Sequence, residues 1–296
     1  MNTVRSADGT TIAFTRAGQG PPLILVDGAL CSRSFGPMPK LAAQLTPHFT
    51  VYTYDRRGRG ASGDTPPYAV DREVEDIEAL AALARETTSA SPTTSASETT
   101  LAAEAATGGE TALGGGTVFI HGTSSGAALA LEAAKRIPAI GKLAVYEPPF
   151  IVDGSRTPIP GDYLARLDRL VAGHRNGDAV KMFMRFVGTP AIFTAVMPLT
   201  PVWPKLKAVA PTLPYDITIM QDHQRGKPFA PAEWAAVKIP ALVAAGGKSP
   251  AWMTSGTRAL ADALPDARYR TLPGQTHMVK PQAIAPVLTE FFLNDN

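Results

Sequence analysis

The stretch from residue 117 to residue 131, TVFIHGTSSGAALAL, limits the possible folds of this chain more than any other part of it. It begins as a β-branched and aromatic run that is short enough for a buried strand. It ends in an Ala/Leu-rich run typical of a helix. Between the two, residues 122–126 form the pattern G-x-S-x-G. A strand, this pattern and a helix in succession predict a nucleophile elbow, a sharp turn that exposes the central Ser124.

Glycine has a physical role at both ends of this turn. Side chains at Gly122 and Gly126 would collide with the neighbouring strand or helix. The same residues also fit a plain Gly/Ser-rich loop without chemistry, because so short a pattern often occurs by chance. The flanking strand and helix favour the elbow, because a strand before the pattern and a helix after it are the structural context of a nucleophile elbow.

Length and composition favour a soluble α/β domain with an insertion. The 296 residues are 45% hydrophobic and 18% charged, with a formal net charge of +2. No run of Lys and Arg favours a nucleic-acid partner, and no uncharged apolar run reaches the length that spans a membrane. The single cysteine, Cys31, excludes an internal disulfide and favours a reducing compartment. Because residues 1–9 also lack the pattern of a signal peptide, we expect a cytoplasmic protein.

The chain alternates between short apolar runs and helical patterns. Such alternation predicts an α/β fold with a mostly parallel sheet. A hairpin signal at Asp8–Gly9 precedes the first run. Strands are predicted at 10–15, 23–26, 49–54, 117–121, 142–147, 241–245 and 267–272, and core helices at 35–45, 71–85, 252–264 and 282–292.

Two segments interrupt this alternation. Residues 86–116 are rich in Ser, Thr, Ala and Gly and contain few large apolar side chains. We expect a flexible low-complexity insertion there, because the segment cannot bury enough surface to offset its loss of entropy. Residues 154–236 carry helical patterns broken by prolines, which predicts a helical insertion. The predicted core domain is therefore 1–153 together with 237–296.

A serine hydroxyl becomes a strong nucleophile only when a base takes its proton and an acid orients that base. In folds with this kind of elbow, the acid and then the histidine follow the serine along the chain. His277 lies after the last predicted strand and before the last helix, in the kind of loop that carries function in α/β sheets. We therefore predict that His277 is the base. A structural or exposed histidine is the simpler alternative.

Four motifs together resemble the α/β-hydrolase superfamily. They are Asp27–Gly28 after an apolar strand, YDRRGRGAS at 54–62, the elbow at 122–126 and GQTH at 274–277. The resemblance spans almost the whole chain except 86–116 and is closest to the esterase, haloperoxidase-like and lactonase-like branch. It implies the α/β-hydrolase fold, a mostly parallel central sheet flanked by helices with an inserted helical cap at 154–236. It also implies a serine hydrolase that needs no cofactor and no metal.

The resemblance assigns the oxyanion hole to the backbone amides of Ala29 and Ser125. The family usually has His-Gly where this chain has Asp27–Gly28. That difference changes the local packing and charge rather than the amide of Ala29. Asp27 is either a carboxylate close to the site or a plain loop residue, and the sequence leaves both open.

The acid of the family usually follows the strand at 241–245, but residues 246–250 (GGKSP) contain no carboxylate. Some branches carry the acid after the preceding core strand, where this chain has Glu147. Because parallel strands end at the same edge of a sheet, we expect Glu147 beside the loop of His277. We therefore predict the triad Ser124, His277 and Glu147. Asp153 is the alternative acid, and a glutamate at the rim of the sheet is the alternative role of Glu147.

Dehalogenases and epoxide hydrolases of this fold have Asp at the elbow, so Ser124 indicates attack on a carbonyl carbon. We expect an apolar ester or lactone of a small molecule as substrate, because the predicted cap is rich in Met and aromatic residues. The residues predicted to line the substrate pocket are Cys31, Met184, Trp203 and Met278, although Cys31 also fits a small buried thiol. Two other interpretations stay open: a ligand-binding member of the fold without hydrolysis, and an enzyme that modifies a natural product by C–C cleavage or cyclisation.

Overall fold

The computed structural model describes residues 1–89 and 116–294. Most of the predicted flexible insertion at 86–116 therefore lies outside the described residues. The predicted end of the preceding helix is wrong, because that helix continues past Arg85 to Ser89. Within this helix the hydroxyl of Thr87 donates a hydrogen bond to the carbonyl of Leu83. Such back-bonding satisfies a threonine hydroxyl inside a helix.

Eight strands form one sheet in the order β1-β2-β4-β3-β5-β6-β7-β8. β2 runs antiparallel to both of its neighbours, and the other pairs are parallel. β1 and β2 form the hairpin that Asp8–Gly9 predicts. The strands are β1 (Asn2–Arg5), β2 (Thr11–Ala17), β3 (Pro22–Val26), β4 (Thr50–Tyr54), β5 (Val118–Thr123), β6 (Ile140–Tyr146), β7 (Ala241–Gly246) and β8 (Ala267–Leu272).

Helices flank this sheet, so the predicted fold class is confirmed. The first begins at Met38 rather than at residue 35, because Ser32 and Phe35 first pair with each other through two backbone hydrogen bonds of 2.8 Å. The α-helices are α1 (Met38–Leu45), α2 (Val70–Ser89), α3 (Ser125–Arg136), α4 (Tyr163–Ala172), α5 (Asn176–Phe186), α6 (Ala191–Val196), α7 (Trp203–Val209), α8 (Leu213–Met220), α9 (Ala251–Ala263) and α10 (Pro281–Leu293).

The sheet is covered on both faces. Strands β3, β4, β5 and β7 are buried along their whole length, as expected for parallel strands between two layers of helices. One face packs against α2, α3 and α9, and the other packs against α1 and α10. On the second face, the ring of Phe119 stacks on that of Phe292 with centroids 5.1 Å apart. Helices thus occupy both faces, and the loops that follow the strands gather at the carboxyl edge.

Helices α4 to α8 lie between β6 and β7 along the chain. They belong to residues 154–236, called the cap segment below. Helix α8 packs against α3, the helix of the elbow, and against α2. The division of the chain into a core domain and a cap domain stays a prediction. None of the helices that the structure describes combines the length and the apolar composition that a membrane crossing requires.

Candidate active site

The elbow forms a tight turn between β5 and α3. Ser124 has φ 59° and ψ −128°, and a positive φ is rare for residues other than glycine. A Cβ atom on Gly122 would lie 2.2 Å from the carbonyl oxygen of Gly126, and one on Gly126 would lie 2.4 Å from that of Val26. The amide of Ser124 donates to the carbonyl of Tyr146 at 3.0 Å. Close packing therefore holds the serine in a strained conformation.

Glu147 and His277 form a hydrogen-bonded pair at the carboxyl edge of the sheet. Glu147 Oε2 lies 2.9 Å from His277 Nδ1, and Glu147 Oε1 accepts a 2.6 Å hydrogen bond from the amide of Gly246. Glu147 is fully buried, whereas the side chain of His277 is 33% exposed. A carboxylate partner places the proton of the neutral ring on Nδ1, which leaves Nε2 as the basic nitrogen.

The loop that carries His277 is tied to the ends of two strands. The hydroxyl of Tyr146, the last residue of β6, donates to the carbonyl of Thr276 at 2.6 Å. The amide of Lys248, just after β7, donates to the carbonyl of Gln275 at 2.8 Å. These bonds fix the backbone of the loop directly before His277, and such preorganisation is what a catalytic site requires.

The alternative acid, Asp153, lies elsewhere. Its carboxylate accepts a 2.6 Å hydrogen bond from the hydroxyl of Ser255. Ser249 occupies the position at which the family usually carries its acid, and its buried Oγ has no hydrogen-bond partner within the described residues. The structure therefore brings Glu147, and not Asp153, to His277.

Ser124 lies close to this pair along the sheet edge. Its amide bonds to Tyr146, which directly precedes Glu147. Across the described parts of the chain, however, no hydrogen bond joins Ser124 Oγ to His277. Catalytic hydrogen bonds are often long in unliganded sites and shorten when substrate binds.

Backbone on two sides of Ser124 carries the predicted oxyanion donors. A Cβ atom on Gly28 would lie 3.6 Å from Ser124 Oγ, so the loop after β3 passes directly beside the hydroxyl. Ala29 follows Gly28 and is half-buried. Ser125 is the first residue of α3, where a backbone amide has no acceptor within the helix. Both amides therefore flank the serine, and their role as an oxyanion hole stays a prediction.

Asp27 begins the loop after β3 and is buried as a neutral acid. Its side chain is 3% exposed, and Oδ1 has no hydrogen-bond partner in the part of the chain that the structure describes. Burial raises the pKa of Asp27 to about 8, although the nearby Arg59 and Arg56 lower it. At neutral pH the carboxyl group therefore largely keeps its proton, so Asp27 adds little negative charge to this loop.

A buried cluster of charges lies next to the elbow. Arg56, Arg59, Glu73 and Asp216 are each at most 1% exposed and are joined by ion pairs of 2.6–2.7 Å. Asp216 also accepts a 2.7 Å hydrogen bond from the hydroxyl of Ser125. Burial by itself would raise the pKa of Asp216, but the two arginines outweigh it, so this pKa lies below its usual value. The carboxylate is therefore charged at neutral pH.

Sequence reasoning missed this cluster because its members are far apart along the chain. The arginines are visible only as part of a family motif, and Asp216 lies in α8, which carries no motif. The acids of the cluster are paired with arginines. Among the described residues, no group of three or more His, Cys, Asp or Glu side chains is arranged to hold a metal ion.

The four residues predicted to line the pocket lie in different surroundings. Cys31 is half-buried, and burial and the nearby Asp27 raise the pKa of its thiol to about 12, as fits an unreactive thiol. Met184 packs against the core as a partly buried side chain. Trp203 lines a cleft of about 450 Å³ formed by residues of the cap segment, and Met278 is 76% exposed. The structure thus gives no support to Trp203 and Met278 as pocket walls beside the serine.

A family profile and several solved structures resemble this chain. Residues 23–287 match the profile of the Alpha/beta hydrolase family. An alpha/beta hydrolase from Sphaerobacter thermophilus DSM 20745 is 48% identical, with a TM-score of 0.81 and coverage of 98% of this chain and 100% of that chain. More distant structures show the fold alone. The enol-lactonase from Burkholderia xenovorans LB400 is 19% identical (TM-score 0.64, coverage 99% and 100%). A thermophilic esterase from Thermogutta terrifontis is 17% identical (TM-score 0.62, coverage 98% and 96%).

Proposed function

Because the chain belongs to the alpha/beta hydrolase family, we propose that it is a serine hydrolase that cleaves a carboxylic ester or lactone of an apolar small molecule. The observation that carries the proposal is the 2.9 Å hydrogen bond between buried Glu147 and His277, at the sheet edge where Ser124 occupies its elbow. A serine, a buried carboxylate and a histidine in this chain order are the parts of a catalytic triad.

In the first half of the proposed reaction, Ser124 Oγ attacks the carbonyl carbon while His277 Nε2 accepts the hydroxyl proton. The carbonyl oxygen becomes an oxyanion, which the amides of Ala29 and Ser125 stabilise. The bond to the alkoxy oxygen then breaks, and His277 gives its proton to the leaving alcohol. With a lactone, that alcohol stays attached to the acyl chain. The acyl group remains bonded to Ser124.

In the second half, water attacks the acyl-enzyme and His277 takes its proton. The ester bond to Ser124 breaks, the serine regains a proton from His277 and the carboxylic acid leaves. Glu147 accepts the Nδ1–H bond throughout, which fixes the tautomer and stabilises the imidazolium. Since the amide of Gly246 holds the other carboxylate oxygen, Glu147 keeps its orientation during both halves.

The proposed substrate class rests on two features. A serine rather than an aspartate at the elbow favours a carbonyl carbon as the reacting atom. Partly buried apolar side chains of the cap segment, among them Met182, Met184 and Phe186, favour an apolar acyl or alkyl group. The names of two structural neighbours, an enol-lactonase and an esterase, agree with esters and lactones as the class to test.

A screen of p-nitrophenyl esters of increasing acyl length and of small lactones tests the proposal. We expect the wild type to hydrolyse at least one of them, and Ser124→Ala to lower the turnover by roughly 10⁴–10⁶ while the protein stays folded. Ser249→Ala, which removes a buried hydroxyl outside the triad, is the control and should keep its activity. A Ser124→Ala variant within about tenfold of the wild type contradicts the mechanism.

A further inference from the structure

Asp216, in helix α8 of the cap segment, connects the buried charge cluster to the proposed site. Its Oδ1 accepts hydrogen bonds from Arg56 at 2.6 Å and from the hydroxyl of Ser125 at 2.7 Å. Its Oδ2 accepts a 2.7 Å bond from Arg59. Burying these charges requires a large desolvation free energy, and apolar side chains of similar volume often fill such a space with equal stability. The backbone groups that the cluster holds indicate what it does.

One arm of the cluster holds the loop with the first proposed oxyanion donor. Arg59 donates to the carbonyl of Gly28 at 2.7 Å and to that of Cys31 at 3.3 Å, and Arg56 donates to the carbonyl of Asp27 at 3.4 Å. The carbonyl of Gly28 and the amide of Ala29 belong to one planar trans peptide and point in opposite directions. By holding this carbonyl, Arg59 therefore directs the Ala29 amide away from the cluster.

The other arm holds the residue with the second donor. Ser125 is fully buried, and its hydroxyl is bound to Asp216. On its N-terminal side it follows the strained turn at Ser124. The amide of Ser125 is thus fixed by the elbow on one side and by a carboxylate of the cap segment on the other, which limits rotation of the peptide that carries it.

We propose that Asp216 is a positioning residue that aligns the amides of Ala29 and Ser125 with the oxyanion, so that the oxyanion hole is complete only when helix α8 is seated on the core. This inference rests on the proposed serine-hydrolase function and adds to it a residue of the cap segment. Two further contacts seat the helix. Arg59 Nε donates to Thr212 Oγ1 at 2.9 Å, and the ring of Tyr215 stacks on Tyr68 with centroids 3.9 Å apart.

The neighbouring arginine supplies a matched control. Arg57 is fully buried and donates to Asp76 at 2.8 and 2.7 Å. Its other bonds go to Asp8 and to the carbonyl of Arg72, and not to the backbone beside the serine. Asp76→Asn therefore removes a buried negative charge from an arginine without touching the contacts of the two oxyanion amides.

The test compares a p-nitrophenyl ester with the thionoester of the same acyl group, in which sulfur replaces the carbonyl oxygen. Aligned amides stabilise an oxyanion better than the larger sulfur anion, which accepts hydrogen bonds only weakly. The ratio of kcat/KM for the oxygen ester to kcat/KM for the thionoester therefore reports on the oxyanion hole. In Asp216→Asn we expect kcat/KM of the oxygen ester to fall by roughly 10²–10³, mainly through kcat, and the ratio to fall with it. In Asp76→Asn the melting temperature should fall while the ratio stays unchanged.

Ser125→Ala is a second variant, because it removes one contact of Asp216 without leaving a charge unpaired. We expect a roughly tenfold lower kcat and a lower ratio, as for the loss of one hydrogen bond to a charged group. If Asp216→Asn does not fold, the ratio in Ser125→Ala decides alone. A ratio within about twofold of the wild type in the folded variants, or an equal fall in Asp76→Asn, overturns the proposal. Failure of the serine-hydrolase proposal can be told apart from failure of this one, because it would appear as hydrolysis by Ser124→Ala.

Discussion

Glu147 and Asp27 are both buried carboxyl groups just after the ends of parallel strands, β6 and β3, yet their surroundings differ. Both oxygens of Glu147 have donors, His277 Nδ1 on one and the amide of Gly246 on the other. Asp27 Oδ1 has no partner among the described residues, and burial raises its pKa to about 8. Burial alone therefore does not prepare a carboxylate for catalysis. Hydrogen-bond donors directed at both carboxylate oxygens stabilise the ionised form, because they replace the water that burial removes.

The raised pKa of Asp27 also bears on the difference between Asp27–Gly28 and the usual His-Gly of the family. Neutral Asp27 adds little negative charge to the loop that carries the Ala29 amide. An ionised carboxylate so close to a developing oxyanion would raise the energy of the intermediate. In the proposed mechanism the two residues have different roles: Glu147 orients His277 through its hydrogen bond, and Asp27 adds little negative charge beside the oxyanion.

Of the two carboxyl groups, Glu147 is expected to give the larger effect, in the variant Glu147→Gln. The amide keeps the shape of the side chain but favours the wrong imidazole tautomer, so we expect turnover to fall by roughly 10²–10⁴ with little change in melting temperature. Turnover of the best p-nitrophenyl ester from the screen is the measurement. Asp153→Asn, at a carboxylate bound to Ser255, is the control and should retain activity. Equal activities of the two variants would show that Glu147 is not the acid of the triad.

A smaller effect is expected from Asp27→Asn, on stability rather than on turnover. Asp27 has a pKa of about 8 in the folded protein against 3.8 for an unperturbed group. Between these values the unfolded chain is ionised while the folded chain keeps its proton, so a rise in pH from about 4 to about 8 lowers the stability of the wild type. Asp27→Asn has no carboxyl group at this position, so its stability does not fall in this way.

Melting temperatures of both proteins from pH 5 to pH 9 measure this effect. The advantage of Asp27→Asn over the wild type should grow up to pH 8 and then level off, with a gain of about 2–4 °C for each kcal/mol. Any fixed cost of burying the amide cancels, because only the change with pH is compared. A difference that stays constant from pH 5 to pH 9 would show that Asp27 is ionised in the folded protein.

Features set by local chemistry could be predicted from the sequence. The elbow follows from glycines that the turn requires and from a strand and a helix beside it. The approach of Glu147 to His277 follows from topology, since both come after strands whose carboxyl ends meet at one edge. The fold class follows from the alternation of strands and helices along the chain.

Features set by packing between distant segments could not be predicted. The contact between Ser125 and Asp216 joins residues 91 positions apart, and nothing in the sequence of α8 marks its aspartate for burial. The exposure of individual side chains could not be predicted for the same reason. Met278 and Trp203 are large and apolar, but Met278 is exposed and Trp203 lies in a cleft of the cap segment. Helix α2 extends past Arg85 into a Ser/Thr-rich stretch, against the weak helix propensity of these residues.

The most direct measurement of the central claim is covalent capture by a serine-reactive fluorophosphonate, followed by intact mass and peptide mapping. The account predicts one phosphonyl group on Ser124 of the wild type, none on Ser124→Ala and much slower capture in Glu147→Gln, because the reagent needs the same activated hydroxyl as an ester. Capture on a different serine, or equal rates in the wild type and Glu147→Gln, would contradict the triad of Ser124, His277 and Glu147.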